Sequence, residues 1–484
     1  MMSQEMLAQN TYTKKTNRIT LKFFCVLFLI FSNIAGYCLI NSLLRQTMVS
    51  FIEVKSATWI SLSLIMAESL LSFIFNRKRL TSYSIFIISF VLFHFGQFFI
   101  YSIGATYNYF YLEQYNARLV IKAIQLEYVA VGSLLLAGFF SENWQPFSFC
   151  KANNLEEKSI CRVAKIAVIV TGFVSFILLA GKSFAFVRGN YEGARSFDAS
   201  VPSVIGIFEY FYAPFSILFL VYSKQKREKD FVSALLFIWG VITAICGDRT
   251  SGIAAILIVF LLKSQFKQEK KIKKIISGMI VLVLTIFLIS FIRYFREGKE
   301  YSFNGFLSAL FDVLGELGGS FFPVVLIIKV CPSNHSFLYG KTYFYSLLAG
   351  LIPESLDFTG TITAWTTNAT LPLGWISGDY DYTFGTGYSL VAEAYANFGE
   401  FGWIVLFLTG VLVAKLLKQT KKNLFSQYVS MVLLFEFFTV ARRNFYYIIN
   451  HTFYCVIIVY FLLLLLCKKK GTPGNIDGTK IEDL

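Results

Sequence analysis

Charged residues stand within apolar stretches of this sequence, and their types can bind phosphate or move a proton. Arg249 lies in "GDRTSG" (247–252), between two apolar runs. Glu393 lies in "GYSLVAEAYANFGEFGWIV" (387–405), at the start of another. The planar guanidinium group of arginine binds phosphate through two parallel hydrogen bonds. A carboxylate within a membrane span is a candidate general base. These two residues therefore suggest an anionic ligand and a proton transfer.

The apolar runs around these residues identify the class of protein. Of 484 residues, 56% are hydrophobic and 15% are charged, whereas soluble domains carry about 25% charged residues. Runs that could cross about 30 Å of hydrocarbon recur along the chain. We therefore predict an all-α polytopic membrane protein with about twelve transmembrane helices. The runs lie near 21–44, 57–75, 83–103, 119–140, 160–181, 203–223, 231–247, 250–265, 275–295, 388–414, 425–440 and 446–467.

Lysine-rich segments between the runs predict the orientation. "KQKREKD" (224–230) and "KSQFKQEKKIKK" (263–274) flank the two runs around Arg249. The positive-inside rule places both in the cytoplasm, so the chain must cross twice and "GDRTSG" forms an extracytoplasmic turn. The predicted organisation is a cytoplasmic tail at 1–20, nine helices in 21–295, a large periplasmic loop at 296–387, three helices in 388–467 and a cytoplasmic tail at 468–484.

The first part of the large loop is apolar but interrupted. Residues 306–330 contain Asp312, Glu316, the pair Gly318–Gly319 and Pro323. We expect an amphipathic or re-entrant segment there. A full crossing would turn the later lysine cluster "KLLKQTKK" outward, which the charge rule disfavours.

Composition also argues against several function classes. The net charge of +15 comes mainly from short clusters between apolar runs, which is a topology signal and predicts no nucleic-acid partner. The eight cysteines include no CxxC pair, and the chain has three histidines. This spacing supports neither a zinc site nor a disulfide framework, so we predict no metal and no cofactor.

Several arginines fall at the predicted extracytoplasmic ends of spans, where lysine and arginine are normally rare. Arginines kept there form a candidate site for an anionic ligand such as a diphosphate. The alternative is that each pairs with a lipid headgroup or a neighbouring carboxylate such as Asp248 or Glu297. The candidates are Arg249, Arg293, Arg296, Arg442 and Arg443.

Aromatic and acidic residues of the large loop form a candidate sugar site. Trp365, Trp375, Asp379 and Asp381 combine flat faces with hydrogen-bonding groups. The same residue types also form membrane-interface belts, and the sequence alone leaves both interpretations open.

Several residues are candidate proton acceptors for a catalytic step. Glu393 is the first choice, followed by His335, Asp379 or Asp381. Glu393 has the alternative of pairing with an arginine, and His335 that of a surface loop residue. Elsewhere, His94 and Gln97 share one helix face in "FHFGQ", where hydrogen bonding between helices is the expected role.

Taken in order, these segments resemble the O-antigen (Wzy-type) polysaccharide polymerases of bacterial inner membranes. The resemblance covers most of the chain and rests on "FHFGQ", "GDRTSG", "IRYFRE", "YGKTY", "IPES" and "GYSLVAEAYANFGEFG". It implies a GT-C-like helical bundle that joins oligosaccharide repeat units carried on undecaprenyl diphosphate, without a metal. It implies arginines that stabilise the leaving diphosphate, a base that activates the acceptor hydroxyl, membrane lipids around the bundle and a chain-length regulator as a partner.

Two other functions fit parts of the pattern. A flippase for lipid-linked oligosaccharides has similar length, but it should show two similar halves, and the single large outer loop breaks such symmetry. An O-antigen ligase uses the same donor with a different acceptor, and only the motif resemblance favours the polymerase.

Overall fold

The computed structural model describes ten segments of the chain, and their regular structure is helical. They are residues 2–75, 81–105, 112–141, 144–145, 154–266, 306–352, 357, 359–380, 388–419 and 423–469. Within them, one isolated bridge, Leu155 with Lys469, is the only strand-like pairing. Ten helices of this part are long and apolar enough to cross a membrane. The all-α polytopic membrane fold is confirmed.

We number the α-helices in chain order. They are α1 (Met2–Leu44), α2 (Phe51–Phe75), α3 (Ser82–Ser102), α4 (Ala117–Ser141), α5 (Glu157–Ser200), α6 (Ser203–Tyr222), α7 (Lys226–Ile245), α8 (Arg249–Phe266), α9 (Phe306–Leu317), α10 (Phe321–Val330), α11 (Lys341–Ala349), α12 (Thr361–Ala369), α13 (Leu371–Tyr380), α14 (Leu390–Phe398), α15 (Gly402–Leu416), α16 (Leu424–Phe437), α17 (Phe445–Thr452) and α18 (Val459–Leu466). All but one of the predicted apolar runs coincide with these helices, and the run at 275–295 lies outside the described residues.

Helices α1, α2 and α15 each pack against α4, while α5 pairs with α6 and α7 with α8. Helix α16 contacts α15, α6 and α8 and so joins these groups. Small residues allow the close approach: a Cβ on Gly132 would lie 1.7 Å from the Asn33 side chain. Such small-residue contacts are the usual means by which membrane helices associate.

The C-terminal end of α5 folds back on itself. The backbone leaves helical geometry at Gly189 and Asn190, and the Lys182 ammonium then lies 2.5 Å from the Asp198 carboxylate. Tyr191, just after this kink, packs against Gly247, where a Cβ would lie 2.6 Å from its ring. The refolded end of α5 therefore supports the turn between α7 and α8.

The "GDRTSG" segment is a tight turn between antiparallel helices, as the sequence predicts. Helix α7 ends at Ile245 and α8 begins at Arg249. Gly247 has φ +114°, a conformation that favours glycine. The Asp248 carboxylate accepts hydrogen bonds from the Ser251 amide at 3.2 Å and the Thr250 hydroxyl at 3.1 Å, so it caps α8.

The segment predicted to be amphipathic or re-entrant forms α9 and α10, joined by a 3-10 turn at Gly318–Ser320. The turn packs on "FHFGQ" of α3: a Cβ on Gly318 would meet the Gln97 amide at 2.3 Å, and the Gln97 side chain donates to the Gly315 carbonyl. Leu310–Val330 has the length and composition of a crossing helix. Its orientation in the membrane stays a prediction.

Candidate active site

Glu393 occupies a fully buried position near the start of α14. Its Oε2 atom accepts a hydrogen bond at 2.7 Å from the Phe445 amide, the first amide of α17. Asn444, which precedes that helix, makes no side-chain cap bond, so the carboxylate occupies the place of the cap and is favoured by the helix dipole. Among the described residues, Oε1 has no partner in hydrogen-bonding geometry, although the Thr342 side chain lies close enough to interact with the carboxylate. One oxygen therefore fixes the side chain, and the other can accept a further hydrogen bond or a proton.

Asn397 connects the Glu393 helix to the "YGKTY" segment. Its Nδ2 atom donates to the Thr342 hydroxyl and to the Glu393 carbonyl, each at 2.8 Å. Its Oδ1 atom accepts from the Gly340 amide at 3.0 Å, and Gly340 has φ +91°. Two of the segments that carry the family resemblance are thus held together at this position.

Two tyrosines, Tyr388 (buried) and Tyr343 (half-buried), complete the surroundings of Glu393. The Tyr388 amide donates to the Arg442 carbonyl at 2.9 Å, which brings the "ARRN" segment beside α14. Burial raises the pKa values of Tyr343 and Tyr388 well above the usual range, and the charge of Glu393 adds to this. Both hydroxyls therefore stay protonated and can donate hydrogen bonds. Within the described part of the chain, the Tyr388 hydroxyl and Asn444 Oδ1 are buried without a hydrogen-bond partner.

Arg442 and Arg443 lie over aromatic rings. The Arg442 guanidinium is 5.7 Å from the centre of the Phe93 ring, and that of Arg443 is 4.5 Å from the Tyr447 ring. Ring faces hold guanidinium groups by cation–π attraction, and a guanidinium group is a type of donor that binds phosphate oxygens through two parallel hydrogen bonds. The structure therefore places two of the predicted diphosphate residues on the chain segment that contacts Glu393.

His94 of "FHFGQ" anchors this arginine segment. Its Nε2 atom lies 3.1 Å from the Ala441 carbonyl, and its Nδ1 atom lies 3.2 Å from the Glu127 carboxylate on α4. All three residues are buried. The predicted role of His94 and Gln97 in hydrogen bonding between helices is confirmed, and for His94 it fixes the residue next to Arg442.

The helices in the predicted large loop (α11 to α13) and the residues before them bring together His335, Trp375 and Asp379. The His335 ring stacks on Trp375 with centroids 4.4 Å apart and planes 4° apart. Its Nε2 atom lies 3.2 Å from the Asp379 carboxylate, and about a third of each side chain is exposed. A flat ring beside polar groups suits a sugar face. Trp365 lies on the neighbouring helix α12.

The remaining candidates are only partly described. Arg293, Arg296 and Asp381 lie outside the described residues, and for Arg249 the structure gives the backbone position at the start of α8. Ile253, one turn further along α8, belongs to an apolar cluster that includes Phe438 of the segment leading to "ARRN". The Arg249 turn and the Arg442–Arg443 segment therefore adjoin the same packing cluster.

Sequence reasoning missed Tyr343, Tyr388, Thr342 and Asn444 because tyrosine, threonine and asparagine are common at membrane interfaces. It also missed Glu436, which is buried in "MVLLFEFF" (431–438). The criterion that selected Glu393, a carboxylate within an apolar run, would also have selected Glu436.

A sequence model of the O-antigen polysaccharide polymerase Wzy family matches residues 21–470, which is nearly the whole chain. The chain belongs to this family. Its role is therefore that of a polysaccharide polymerase in a membrane, in O-antigen biosynthesis. No curated protein and no solved structure matches the chain.

Three of the motif segments on which the family resemblance rests are joined by hydrogen bonds in the structure. "YGKTY" and the Glu393 helix are bonded through Asn397. "FHFGQ" is bonded to the "ARRN" segment through His94, and that segment is bonded to the Glu393 helix through Tyr388. In this Wzy-family chain, the candidate site therefore lies where α3, α11, α14 and the segment before α17 converge.

Proposed function

We propose that this chain transfers a growing glycan from its polyprenyl diphosphate carrier, undecaprenyl diphosphate, onto the next lipid-linked repeat unit. The transfer takes place at the outer face of a bacterial inner membrane, with both chain termini in the cytoplasm. The observation that carries the proposal is the Glu393 pocket. Its carboxylate is fixed by the Phe445 amide and has one buried oxygen that no described residue meets in hydrogen-bonding geometry, beside the segment of Arg442 and Arg443.

The proposed step is a single displacement at the anomeric carbon. The terminal sugar hydroxyl of the acceptor unit attacks that carbon, and its proton passes to Oε1 of Glu393. The new glycosidic C–O bond forms as the bond to the diphosphate oxygen breaks, and the diphosphate leaves with the electron pair. General-base assistance of this kind contributes typically about 10²- to 10⁴-fold in rate.

The leaving diphosphate needs positive charge placed where negative charge develops. We assign this role to Arg249, Arg293, Arg296, Arg442 and Arg443. For the last two, the aromatic rings of Phe93 and Tyr447 orient the guanidinium groups before the diphosphate arrives.

The sugars of the acceptor lie, in this proposal, against the loop helices. The Trp375 ring, which stacks on His335, provides one flat surface for a sugar, and Trp365 provides a second. The carboxylates of Asp379 and Asp381 accept hydrogen bonds from sugar hydroxyls. The neutral hydroxyls of Tyr343 and Tyr388 supply donors nearer to Glu393. His335, Asp379 and Asp381 are the second choices for the base. A chain-length regulator is the proposed protein partner.

Complementation of a strain lacking the protein tests the proposal through Arg249. We expect Arg249→Ala to be expressed normally but to give surface glycan with a single repeat unit instead of a ladder. Removal of one charge-stabilising group typically costs about 10²- to 10³-fold in rate. Arg249→Lys keeps the charge but not the fork and should recover only short chains. Arg118→Ala is the matched control, because its guanidinium bonds the Gln46 carbonyl in an exposed region.

The pattern of glycan distinguishes the alternatives. A normal ladder from Arg249→Ala contradicts the site assignment. Loss of even single units at the surface would favour a flippase. Full-length polymer that accumulates on the lipid carrier would favour a ligase.

A further inference from the structure

A second buried cluster lies away from the Glu393 pocket, where α6, α16 and α17 meet. It consists of Tyr210, Glu436, His451 and Cys455. The His451 Nδ1 atom is 3.0 Å from Glu436 Oε2 and 2.8 Å from the Tyr210 hydroxyl. The Cys455 sulfur is 3.5 Å from Glu436 Oε1 and 3.2 Å from the same hydroxyl. The four side chains thus form a closed ring of polar atoms inside the bundle.

Three hydrogen bonds can satisfy the donors of this ring without a metal. Cys455 donates to Glu436 Oε1, the Tyr210 hydroxyl donates to the Cys455 sulfur, and the Nδ1–H tautomer of His451 donates to Glu436 Oε2. The fourth contact, 2.8 Å between His451 Nδ1 and the Tyr210 oxygen, then competes for the single Nδ1 hydrogen. The same four facing atoms are also of the types that can coordinate a cation.

A cation at the centre of the ring would bond all the facing lone pairs at once. The ligand atoms of Glu436, His451 and Cys455 all lie within 4.8 Å of one another. Tetrahedral zinc has bonds of about 2.0–2.3 Å, which place neighbouring ligand atoms roughly 3.3–3.7 Å apart. The contacts in the ring, 2.8 to 3.5 Å, are within about half an ångström of this spacing.

The ligand types narrow the choice of metal. A thiolate, an imidazole and a carboxylate form a mixed soft and borderline set, which suits zinc better than magnesium or calcium. The Glu436 carboxylate and a Cys455 thiolate would together balance the charge of Zn²⁺. Arg443 and Asp248 are the charged groups that act on Glu436 from outside the ring, and their opposite signs offset each other.

The local backbone favours a site at this place. Residues Phe453–Ile458 form a π-helical turn within the last membrane span, and such turns are frequent at functional sites. The Tyr428 hydroxyl donates to the Cys455 carbonyl at 2.5 Å, so it fixes the turn that presents the sulfur. The His451 and Glu436 side chains remain 13% and 9% exposed, which leaves a way in for an ion.

We propose that Glu436, His451 and Cys455 bind one zinc ion, with Tyr210 or a water at the fourth position. The ion would be structural, since it joins α16 to α17 and its π-helical turn just beyond Arg443. His451 and Cys455 are four residues apart in the last span, but the third ligand, Glu436, comes from a separate helix, so no metal-binding motif shows in the sequence. The proposal does not depend on the transfer reaction proposed above.

Metal analysis of the full-length protein, purified in detergent, tests the proposal. After loading with zinc chloride and dialysis, we expect about one zinc per chain by mass spectrometry. Cys455→Ser and Glu436→Gln, which preserve side-chain shape, should each lose that zinc. Cys25→Ser, which removes another buried cysteine, should retain it. With cobalt, the wild type should show the absorption of a thiolate ligand, and Cys455→Ser should not.

Thermal unfolding guards against misfolded variants. Zinc should raise the unfolding temperature of the wild type and of Cys25→Ser, and should leave that of Cys455→Ser unchanged. Wild-type protein without bound zinc would overturn the proposal. So would equal zinc in Cys455→Ser and the wild type, which would show adventitious binding.

Discussion

Glu393 and Asp379 are both carboxylates predicted as proton acceptors, and the structure places them in opposite surroundings. Glu393 is fully buried, and one of its oxygens is fixed by a backbone amide at the start of α17. Asp379 is about one-third exposed and is held by the His335 ring. A buried carboxylate that a backbone amide already orients needs little further ordering before it reacts, whereas an exposed one must first be ordered. We therefore expect the buried carboxylate to be the better base and the exposed one to be the better sugar contact.

The largest expected effect separates the two carboxylates directly. Glu393→Gln keeps an oxygen that can accept from the Phe445 amide but loses the basic oxygen. We expect polymerisation to fall by about 10²- to 10⁴-fold, with unchanged expression and thermal stability. The assay is the rate of chain extension in proteoliposomes supplied with lipid-linked repeat units.

Asp379→Asn is the matched control for this loss. It removes the same charge from the exposed carboxylate, and we expect its rate to fall only a few-fold. If Asp379→Asn proves more damaging than Glu393→Gln, the assignment of the base reverses.

The outcome at Glu393 shows what sequence could and could not supply. The apolar run around it predicts burial near a helix start, and burial is observed. The amide that fixes it belongs to Phe445, fifty-two positions away, and no local pattern predicts that contact. The same holds for His94, whose bond to the Ala441 carbonyl joins the third helix to the segment before the last span. Helices and the "GDRTSG" turn follow from local composition, whereas the site depends on helix packing.

A smaller effect tests the sugar side of the comparison. Trp375→Ala removes the ring that His335 stacks on, and we expect about a tenfold rise in the apparent KM for repeat units, which corresponds to about 1.4 kcal/mol. The turnover rate at saturation should change little if, as proposed, the ring contacts sugar and not the reacting bond. Trp403→Ala removes an exposed tryptophan of α15 and should leave the KM unchanged. A fall in turnover with an unchanged KM would place Trp375 at the reacting centre.

The smallest effect concerns how the exposed region is ordered. The Asp357 carboxylate accepts from the Thr363 amide at 2.7 Å and the Thr363 hydroxyl at 2.8 Å, close to the start of α12, which carries Trp365. These hydrogen bonds lower the pKa of Asp357 to about 2, the Thr363 amide being the largest cause. The pKa of an unperturbed aspartate is about 3.9. The stabilisation is therefore fully present above the ordinary pKa and is lost as pH falls through about 2.

Asp357→Asn should weaken this helix start without touching the Glu393 pocket. We expect faster hydrogen exchange at the Thr363 amide at neutral pH, and a difference from the wild type that shrinks as the pH falls from about 4 to about 2. Asp230→Asn, which changes an exposed carboxylate at the beginning of α7, should leave exchange at Thr363 unaltered. An Asp357→Asn variant that slows polymerisation as much as Glu393→Gln would show that the loop helices control the buried base. The two carboxylate regions would then act as one unit.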